Sequence, residues 1–130
     1  MLLDGIVTDL VGWGILATGH IASVFSRDLA LLPDQARLVA VGSRSLDRAM
    51  AFAADHEIPR AYDSYEELAG DPDVDVVYVA SPHHDHFSSA TVCLEAGKSV
   101  LVEKPLTTSP ADTEELINLA GDRGLFLMEA

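Results

Sequence analysis

A turn rich in small residues lies near the start of the chain, between a run of strand-forming residues and a helical pattern. The segment Trp13–Ala22 reads WGILATGHIA and contains the pattern Ala17-x-Gly19-x-x-Ala22. Glycine at the middle position lets backbone approach a pyrophosphate, and a small third residue lets helix and strand pack closely. Ala17 stands where this pattern usually begins with glycine, so its position must tolerate a Cβ atom. The predicted cofactor contacts in this turn are Ala17, Thr18, Gly19, His20 and Ile21.

A serine and an arginine follow the second predicted strand, where dinucleotide-binding folds read the adenosine ribose. Ser43 and Arg44 stand there, and no aspartate or glutamate does. A carboxylate would accept from the 2′-hydroxyl of NAD, whereas a guanidinium and a hydroxyl can hold the 2′-phosphate of NADP. The pair therefore predicts NADP as the cofactor in preference to NAD. The alternatives are a solvated arginine at a strand end and a glycine turn that holds no ligand.

Three histidines and an aspartate form a cluster that suggests metal ligands. His83, His84, Asp85 and His86 supply imidazole and carboxylate groups of the kind that bind zinc. Four adjacent residues rarely point at one centre, however, and the stretch follows a central strand, where it would face the cofactor crevice. We therefore predict no metal site.

Short β-branched runs alternate with longer stretches of helical periodicity, without an internal repeat or a linker. This alternation predicts an α/β fold, a doubly wound parallel-sheet Rossmann fold with three α/β/α layers. Residues 11–130 would form this domain and residues 1–10 an N-terminal extension. The predicted strands are Val11–Leu16, Arg37–Gly42, Arg60–Tyr62, Val74–Ala80, Ser99–Glu103 and Leu125–Met128.

The helices between these strands are predicted from caps and apolar faces. Ser64 with Glu67 forms a capping box, Asp85 would cap the next helix, and Ser109 precedes Pro110 at a helix start. Glycines at 97 and 124 would end helices in the left-handed conformation. The predicted inward faces are Ile21, Phe25, Leu29 and Leu32 in the first helix, Ala49, Phe52 and Ala53 in the second, and Thr113, Leu116, Ile117 and Ala120 in the last.

Composition bounds the size of the core and the partners. The 130 residues, 48% of them hydrophobic, suffice for one core and are too few for two ordinary domains. A net charge of −13 argues against nucleic acid and anionic membrane surfaces as partners. Cys93 is the only cysteine, so an internal disulfide is not possible and a reducing compartment is the simpler interpretation. No lysine or arginine precedes Arg27, so a secretion signal is not expected. The sequence therefore predicts a cytoplasmic protein without a membrane span.

Five further segments carry a family pattern. They are AVGSRS (Ala40–Ser45), AYDSYEEL (Ala61–Leu68), DPDVDVVYVASPHHDH (Asp71–His86), AGKSVLVEKPL (Ala96–Leu106) and GLFLMEA (Gly124–Ala130). In that order, from Val11 to Ala130, the chain resembles the N-terminal domain of the Gfo/Idh/MocA oxidoreductases, closest to their dihydrodiol dehydrogenase-like branch. The Glu-Lys-Pro triplet and the Ser-Pro-x-x-x-His motif are more specific signals than the glycine turn.

The resemblance implies a two-domain enzyme that passes a hydride between nicotinamide and a hydroxyl-bearing carbon of a sugar, cyclic polyol or diol. It implies that Lys104 is catalytic and lies beside the nicotinamide and the reacting oxygen, where an amine can stabilise negative charge or take part in proton transfer. Glu103 would orient Lys104, and both would contact the cofactor. Ser81, Pro82 and His86 would lie on the nicotinamide side.

The family's second domain supplies an antiparallel sheet, much of the substrate pocket and usually the oligomer interface, and we find no part of it in this chain. We therefore expect the chain alone to bind NADP with little or no turnover, and a full-length form to be a homo-oligomer. One rival hypothesis is a non-catalytic NADP-binding sensor, which would need the glycine turn and Arg44 but not Lys104. Another is a Rossmann enzyme acting on an amino-acid precursor, which the Glu-Lys-Pro context argues against.

Overall fold

The computed structural model describes residues 10–130, which form six strands and five α-helices in strict alternation. The strands are β1 (Val11–Leu16), β2 (Ala36–Gly42), β3 (Arg60–Tyr62), β4 (Val76–Val79), β5 (Ser99–Val102) and β6 (Leu127–Glu129). The helices are α1 (His20–Leu29), α2 (Leu46–His56), α3 (Tyr65–Ala69), α4 (His86–Glu95) and α5 (Pro110–Arg123), with a 3₁₀ helix at His83–Asp85. The predicted extension, residues 1–10, lies outside the described residues except for Leu10.

All six strands are parallel, in the order β3-β2-β1-β4-β5-β6. The chain winds outward from β1 to β3, then returns to the other side of β1 with β4. Leu16, at the carboxyl end of β1, pairs with Gly42 of β2 and Val79 of β4. The carboxyl ends of β1, β2 and β4 therefore meet where the strand order reverses, which is the place where such sheets open a crevice. The predicted doubly wound Rossmann fold is confirmed.

Helices cover both faces of the sheet over two apolar clusters. One cluster contains Ile15, Val41 and Tyr78 with Ala22 of α1 and Phe52 of α2. The other packs the opposite face of the sheet against α3, α4 and α5. Its buried residues are Leu16, Val39, Ala40, Leu68, Ala69, Val74, Val77, Val79, Ala90, Cys93, Leu94, Val100, Val102, Leu116 and Ala120. Burial raises the pKa of the Cys93 thiol to about 12, so this cysteine is a packing residue.

The predicted inward face is correct for α2 and partly wrong for α1 and α5. Ile21 and Leu32 are exposed, and Leu32 lies beyond the end of α1 at Leu29. The buried positions of α1 are instead Ala22, Ser26 and Leu29. Small side chains at the first two of these positions let α1 lie close to the sheet, which turns larger neighbours outward. In α5 the stripe is narrower than predicted, because Leu116 and Ala120 are buried while Ile117 is exposed.

Serine caps begin three helices, those at Ser64 and Ser109 as predicted, and the predicted aspartate cap does not form. The hydroxyls of Ser45, Ser64 and Ser109 each accept a hydrogen bond from the backbone N–H three residues on. Asp85 makes no such bond, because the 3₁₀ turn before α4 already occupies this end of the helix. Its carboxylate lies 3.8 Å from the guanidinium of Arg44. Gly97 and Gly124 have the predicted left-handed conformation.

Three strands are shifted or shortened relative to the sequence prediction. β4 is Val76–Val79 rather than Val74–Ala80, β5 ends at Val102 rather than Glu103, and β6 is Leu127–Glu129 rather than residues 125–128. In addition, β2 begins one residue earlier than predicted, at Ala36. Val74 is buried although it lies in a turn, which its N–H closes by donating to the carbonyl of Asp71. A buried valine next to a strand extends the apolar run in the sequence, although its backbone makes no strand hydrogen bonds. The sequence pattern therefore predicts a longer strand than the structure has. Between residues 10 and 130, no helix has both the length and the hydropathy needed to cross a membrane.

Gly12, in β1, lies where the surrounding chain leaves no room for a Cβ atom. A Cβ atom added there would lie 2.2 Å from the carbonyl oxygen of Asp73, a backbone atom that cannot swing aside. We expect Gly12→Ala to lower the free energy of unfolding in urea by about 3 kcal/mol or more. Gly14→Ala is the control, because its Cβ would meet only side-chain carbons of Leu68 and Val74, at 3.1 Å. Equal losses in the two variants would contradict this account.

Candidate functional site

A crevice of about 1040 Å³ opens at the carboxyl edge of the sheet, where β1, β2, β4 and β5 end. All the predicted cofactor contacts except His20 and Lys104 line this crevice. Its lining consists of Ala17, Thr18, Gly19, Ile21, Ser43, Arg44, Ser45, Arg48, Ala51, Phe52, Asp55, Tyr65, Ala80, Ser81, Pro82, His83, His86 and Glu103. Residues that are far apart in the sequence therefore meet because parallel strands end at a common edge.

The glycine turn forms the floor of this crevice between β1 and α1. Gly19 is the N-cap of α1, with a φ of −81°, and no side chain caps the helix. A Cβ atom added to Gly19 would meet no atom within 4 Å, so the chain's own packing does not require glycine there. The free N–H groups at this helix start favour an anion. The turn therefore has the open backbone approach that a pyrophosphate needs.

Ala17 occupies a backbone conformation that normally favours glycine. Its φ is +90°, and its N–H donates to the carbonyl of Gly42 at 2.9 Å, which ties the turn to the end of β2. An alanine in left-handed backbone costs about 1–2 kcal/mol relative to ordinary backbone. The position tolerates a Cβ atom, as the sequence requires, at the cost of local strain.

Two arginines lie at the β2 side of the crevice. Arg44 is 72% exposed, and Ser43 is buried with its hydroxyl accepting from the N–H of Ser45 at 3.2 Å. Sequence reasoning singled out Arg44 but missed Arg48, which lines the same rim from the first turn of α2. The available signal was spacing, because a residue in the first turn of a helix remains close to the loop before it. The rim offers two guanidinium groups to a phosphate.

His86 is buried at the start of α4 and connects two loops of the crevice. Its Nδ1 lies 2.6 Å from the carbonyl oxygen of Pro105, and its Nε2 lies 2.8 Å from that of Ser81. The Ser81 hydroxyl pairs with that of Ser89 at 3.0 Å. Both ring nitrogens therefore face backbone oxygens, so His86 contributes to the wall as a support between β4 and the loop after β5.

Glu103 reaches the crevice from the end of β5 and is held by a buried tyrosine. The hydroxyl of Tyr78, on β4, donates a hydrogen bond to the Glu103 carboxylate. Burial and this carboxylate both raise the pKa of Tyr78. The Tyr78 ring stacks on Phe25 of α1 with ring centroids 3.9 Å apart. The sequence suggested that Glu103 orients Lys104, whereas the partner seen for its carboxylate is Tyr78.

Lys104 and His20 are the two predicted site residues that the crevice lining does not include. Both side chains are exposed. Lys104 directly follows Glu103, and no ion pair among the described residues involves it. His20 is the first residue of α1 and is not among the residues that line the cavity. The structure thus brings ten of the twelve predicted cofactor contacts together, and His20 and Lys104 are not part of the crevice lining.

The histidine cluster does not converge on one point. Within residues 10–130, no group of three or more histidine, cysteine, aspartate or glutamate side chains is arranged to hold a metal ion. His86 is committed to two carbonyl groups, and His84 is 3.6 Å from Asp85 on the exposed side.

Comparison with known proteins decides the family. The family model for Gfo/Idh/MocA, described as an oxidoreductase family with an NAD-binding Rossmann fold, matches residues 10–130. The chain belongs to this family. Gfo/Idh/MocA relatives include trans-1,2-dihydrobenzene-1,2-diol dehydrogenases, which confirms the branch that the sequence resembles. The enzyme of Sus scrofa is 50% identical over 119 residues, covering 91% of this chain and 36% of its own length. That of Homo sapiens is 48% identical over 119 residues.

Solved structures of other proteins have the same fold. A 3-ketoreductase from Actinomadura kijaniata, in complex with TDP-benzene and NADP, matches with a TM-score of 0.87 and 35% identity, over 93% of this chain and 38% of that protein. A UDP-N-acetylglucosamine 3-dehydrogenase from Acidithiobacillus ferrooxidans matches with a TM-score of 0.83 and 29% identity, over 94% of this chain and 38% of the other. The chain spans about a third of the length of these relatives.

Proposed function

We propose that this chain is the nucleotide-binding part of an NADP-dependent oxidoreductase that acts on a hydroxyl-bearing carbon of a sugar, cyclic polyol or diol. The observation that carries this proposal is the crevice at the reversal of the strand order, with the open turn at Gly19 as its floor and two arginines on its rim. The diol dehydrogenase and sugar-nucleotide enzymes among the relatives support the substrate class.

The residues of the crevice fit a nicotinamide dinucleotide at each of its ends. The N–H groups at the start of α1 would bind the pyrophosphate, because no side chain caps them. Arg44, Arg48 and the Ser43 loop would hold the adenosine ribose with its 2′-phosphate. A bound nicotinamide supplies the carbon that accepts or donates the hydride. The wall formed by Ser81, Pro82 and His86 would limit the access of water to that end.

NADP is proposed over NAD because two arginines, Arg44 and Arg48, line the part of the crevice where the adenosine ribose would bind. Among residues 10–130, the carboxylate that pairs with Arg44 is that of Asp85, at 3.8 Å, and it follows β4 rather than β2, where the carboxylate of an NAD site would stand. The NADP bound to the Actinomadura kijaniata 3-ketoreductase is consistent with this preference.

Coenzyme titration tests the proposal and the role of Arg44 together. We expect the chain to bind NADPH more tightly than NADH, measured by fluorescence of the reduced coenzyme. Arg44→Ala should weaken NADPH binding about tenfold to a hundredfold and leave NADH binding nearly unchanged, because only NADPH presents the phosphate. Arg27→Ala, an exposed arginine in the last turn of α1, is the control and should change neither affinity. If Arg44→Ala leaves the ratio of the affinities unchanged, Arg44 does not read the 2′-phosphate.

Lys104 is the proposed catalytic residue of the whole protein. Its amine would stabilise negative charge on the reacting oxygen or carry the proton of the hydroxyl group. Because its side chain is exposed here, the environment that surrounds it during turnover must come from substrate and from residues beyond this chain's crevice.

We propose a homo-oligomer for the full-length form. We also propose that nucleic acid is not a partner, because the net charge is −13.

The position of Lys104 is also compatible with a second function. A sensor that binds NADP without catalysis would need the crevice but no catalytic amine, and Lys104 is not part of the crevice lining. The two functions differ in one measurable respect, because only the enzyme loses its activity when Lys104 is replaced.

A further inference from the structure

A buried tyrosine hydroxyl holds the carboxylate of Glu103, the crevice residue that directly follows β5. Tyr78 is 1% exposed and lies at the centre of the sheet on β4, with its ring packed in the apolar cluster beneath α1. Its hydroxyl donates to Glu103, whose side chain lines the crevice. The backbone N–H of Glu103 donates to the carbonyl of Val79 at 2.9 Å, so main chain and side chain are both tied to β4.

This carboxylate is placed where negative charge is unfavourable. The coenzyme proposed for the crevice carries several negative charges, and the chain has a net charge of −13. A carboxylate that was free to enter the cavity would repel that ligand, and the low-dielectric walls would strengthen the repulsion.

We propose that Tyr78 is a positioning residue, whose hydroxyl holds the Glu103 carboxylate at the wall of the crevice, against β4, so that it does not project into the space for the anionic coenzyme. This inference rests on the proposed function. It assigns to Tyr78 an effect on affinity for both coenzymes, because the repulsion acts on the charges that NADPH and NADH share. Arg44, in contrast, acts on NADPH alone.

The test is a pair of variants studied by reduced-coenzyme fluorescence. Tyr78→Phe removes the donor but keeps the ring that stacks on Phe25, so the chain should still fold. We expect Tyr78→Phe to weaken both NADPH and NADH binding about fivefold, the effect of one unfavourable charge at close range. The double variant Tyr78→Phe/Glu103→Gln should recover the affinity of Glu103→Gln, since the misplaced charge is then absent.

Tyr62→Phe is the matched control. Its hydroxyl also donates to a carboxylate, the Oδ2 atom of Asp71 at 2.8 Å, but neither residue lines the crevice. It should lower the urea midpoint and leave coenzyme affinity unchanged. Unchanged affinity in Tyr78→Phe would overturn the inference, as would a loss that persists in the double variant, because the tyrosine would then act by packing. If the wild-type chain binds neither coenzyme, the proposed function fails, and the inference fails with it.

Discussion

Gly19→Ala is expected to weaken NADPH and NADH binding about a hundredfold while the fold remains intact, because a methyl group would then occupy the path of the pyrophosphate. The structure predicts that this substitution disturbs neither the backbone nor the packing of the chain. The φ of −81° at Gly19 suits alanine, and the added Cβ atom meets nothing within 4 Å in the chain itself. The urea midpoint should therefore stay at the wild-type value, and only the fluorescence titration should change.

Gly121→Ala provides the control for the same chemical change at a distant place. Gly121 lies in α5, and its added Cβ atom would also meet nothing within 4 Å. Replacing a glycine inside a helix by alanine should stabilise the chain by about 0.5–1 kcal/mol. Coenzyme affinity should not change. If Gly19→Ala binds NADPH as tightly as Gly121→Ala does, the pyrophosphate does not approach this turn, and the proposed cofactor site is wrong.

Lys104→Met is expected to produce the largest effect on catalysis, a fall in kcat of about 10²–10⁴-fold. The measurement needs a substrate domain, which a chimera can supply. Residues 10–130 would replace the matching third of the Sus scrofa diol dehydrogenase, and the product would be assayed for coenzyme-dependent oxidation of the diol. Methionine keeps most of the side-chain volume but carries no charge or exchangeable proton. Lys104→Arg, which keeps the cation, should lose less.

Lys98→Met is the matched control, because the sequence contains two lysines and they have different environments. The Nζ atom of Lys98 donates to the carbonyl oxygens of Asp71 and Val74, at 2.6 and 2.7 Å, away from the crevice. Its replacement should lower the unfolding midpoint of the chimera but leave kcat unchanged. An active chimera whose Lys104→Met variant turns over normally would exclude a catalytic Lys104.

The fold was predictable because its signals are local. Alternating apolar runs and helical patterns set the order of elements, and β1 and β3 begin and end at the predicted residues. The predicted serine caps at 64 and 109 and glycine ends at 97 and 124 also follow from short-range hydrogen bonding. The errors lie where burial and pairing diverge: Val74 is buried outside a strand, and Ile21 is exposed on a helix.

The sequence by itself determined the family, the doubly wound sheet and the group of residues at its carboxyl edge, since motif spacing and strand topology are enough to bring the ends of parallel strands together. Only the tertiary structure decided which side chains contact one another there. Tyr78 holds Glu103 across 25 residues, and His86 reaches Pro105 across 19. Such pairs depend on strand register and rotamer, which no local pattern encodes. For the same reason, the structure alone revealed Arg48 on the rim and Lys104 outside the crevice.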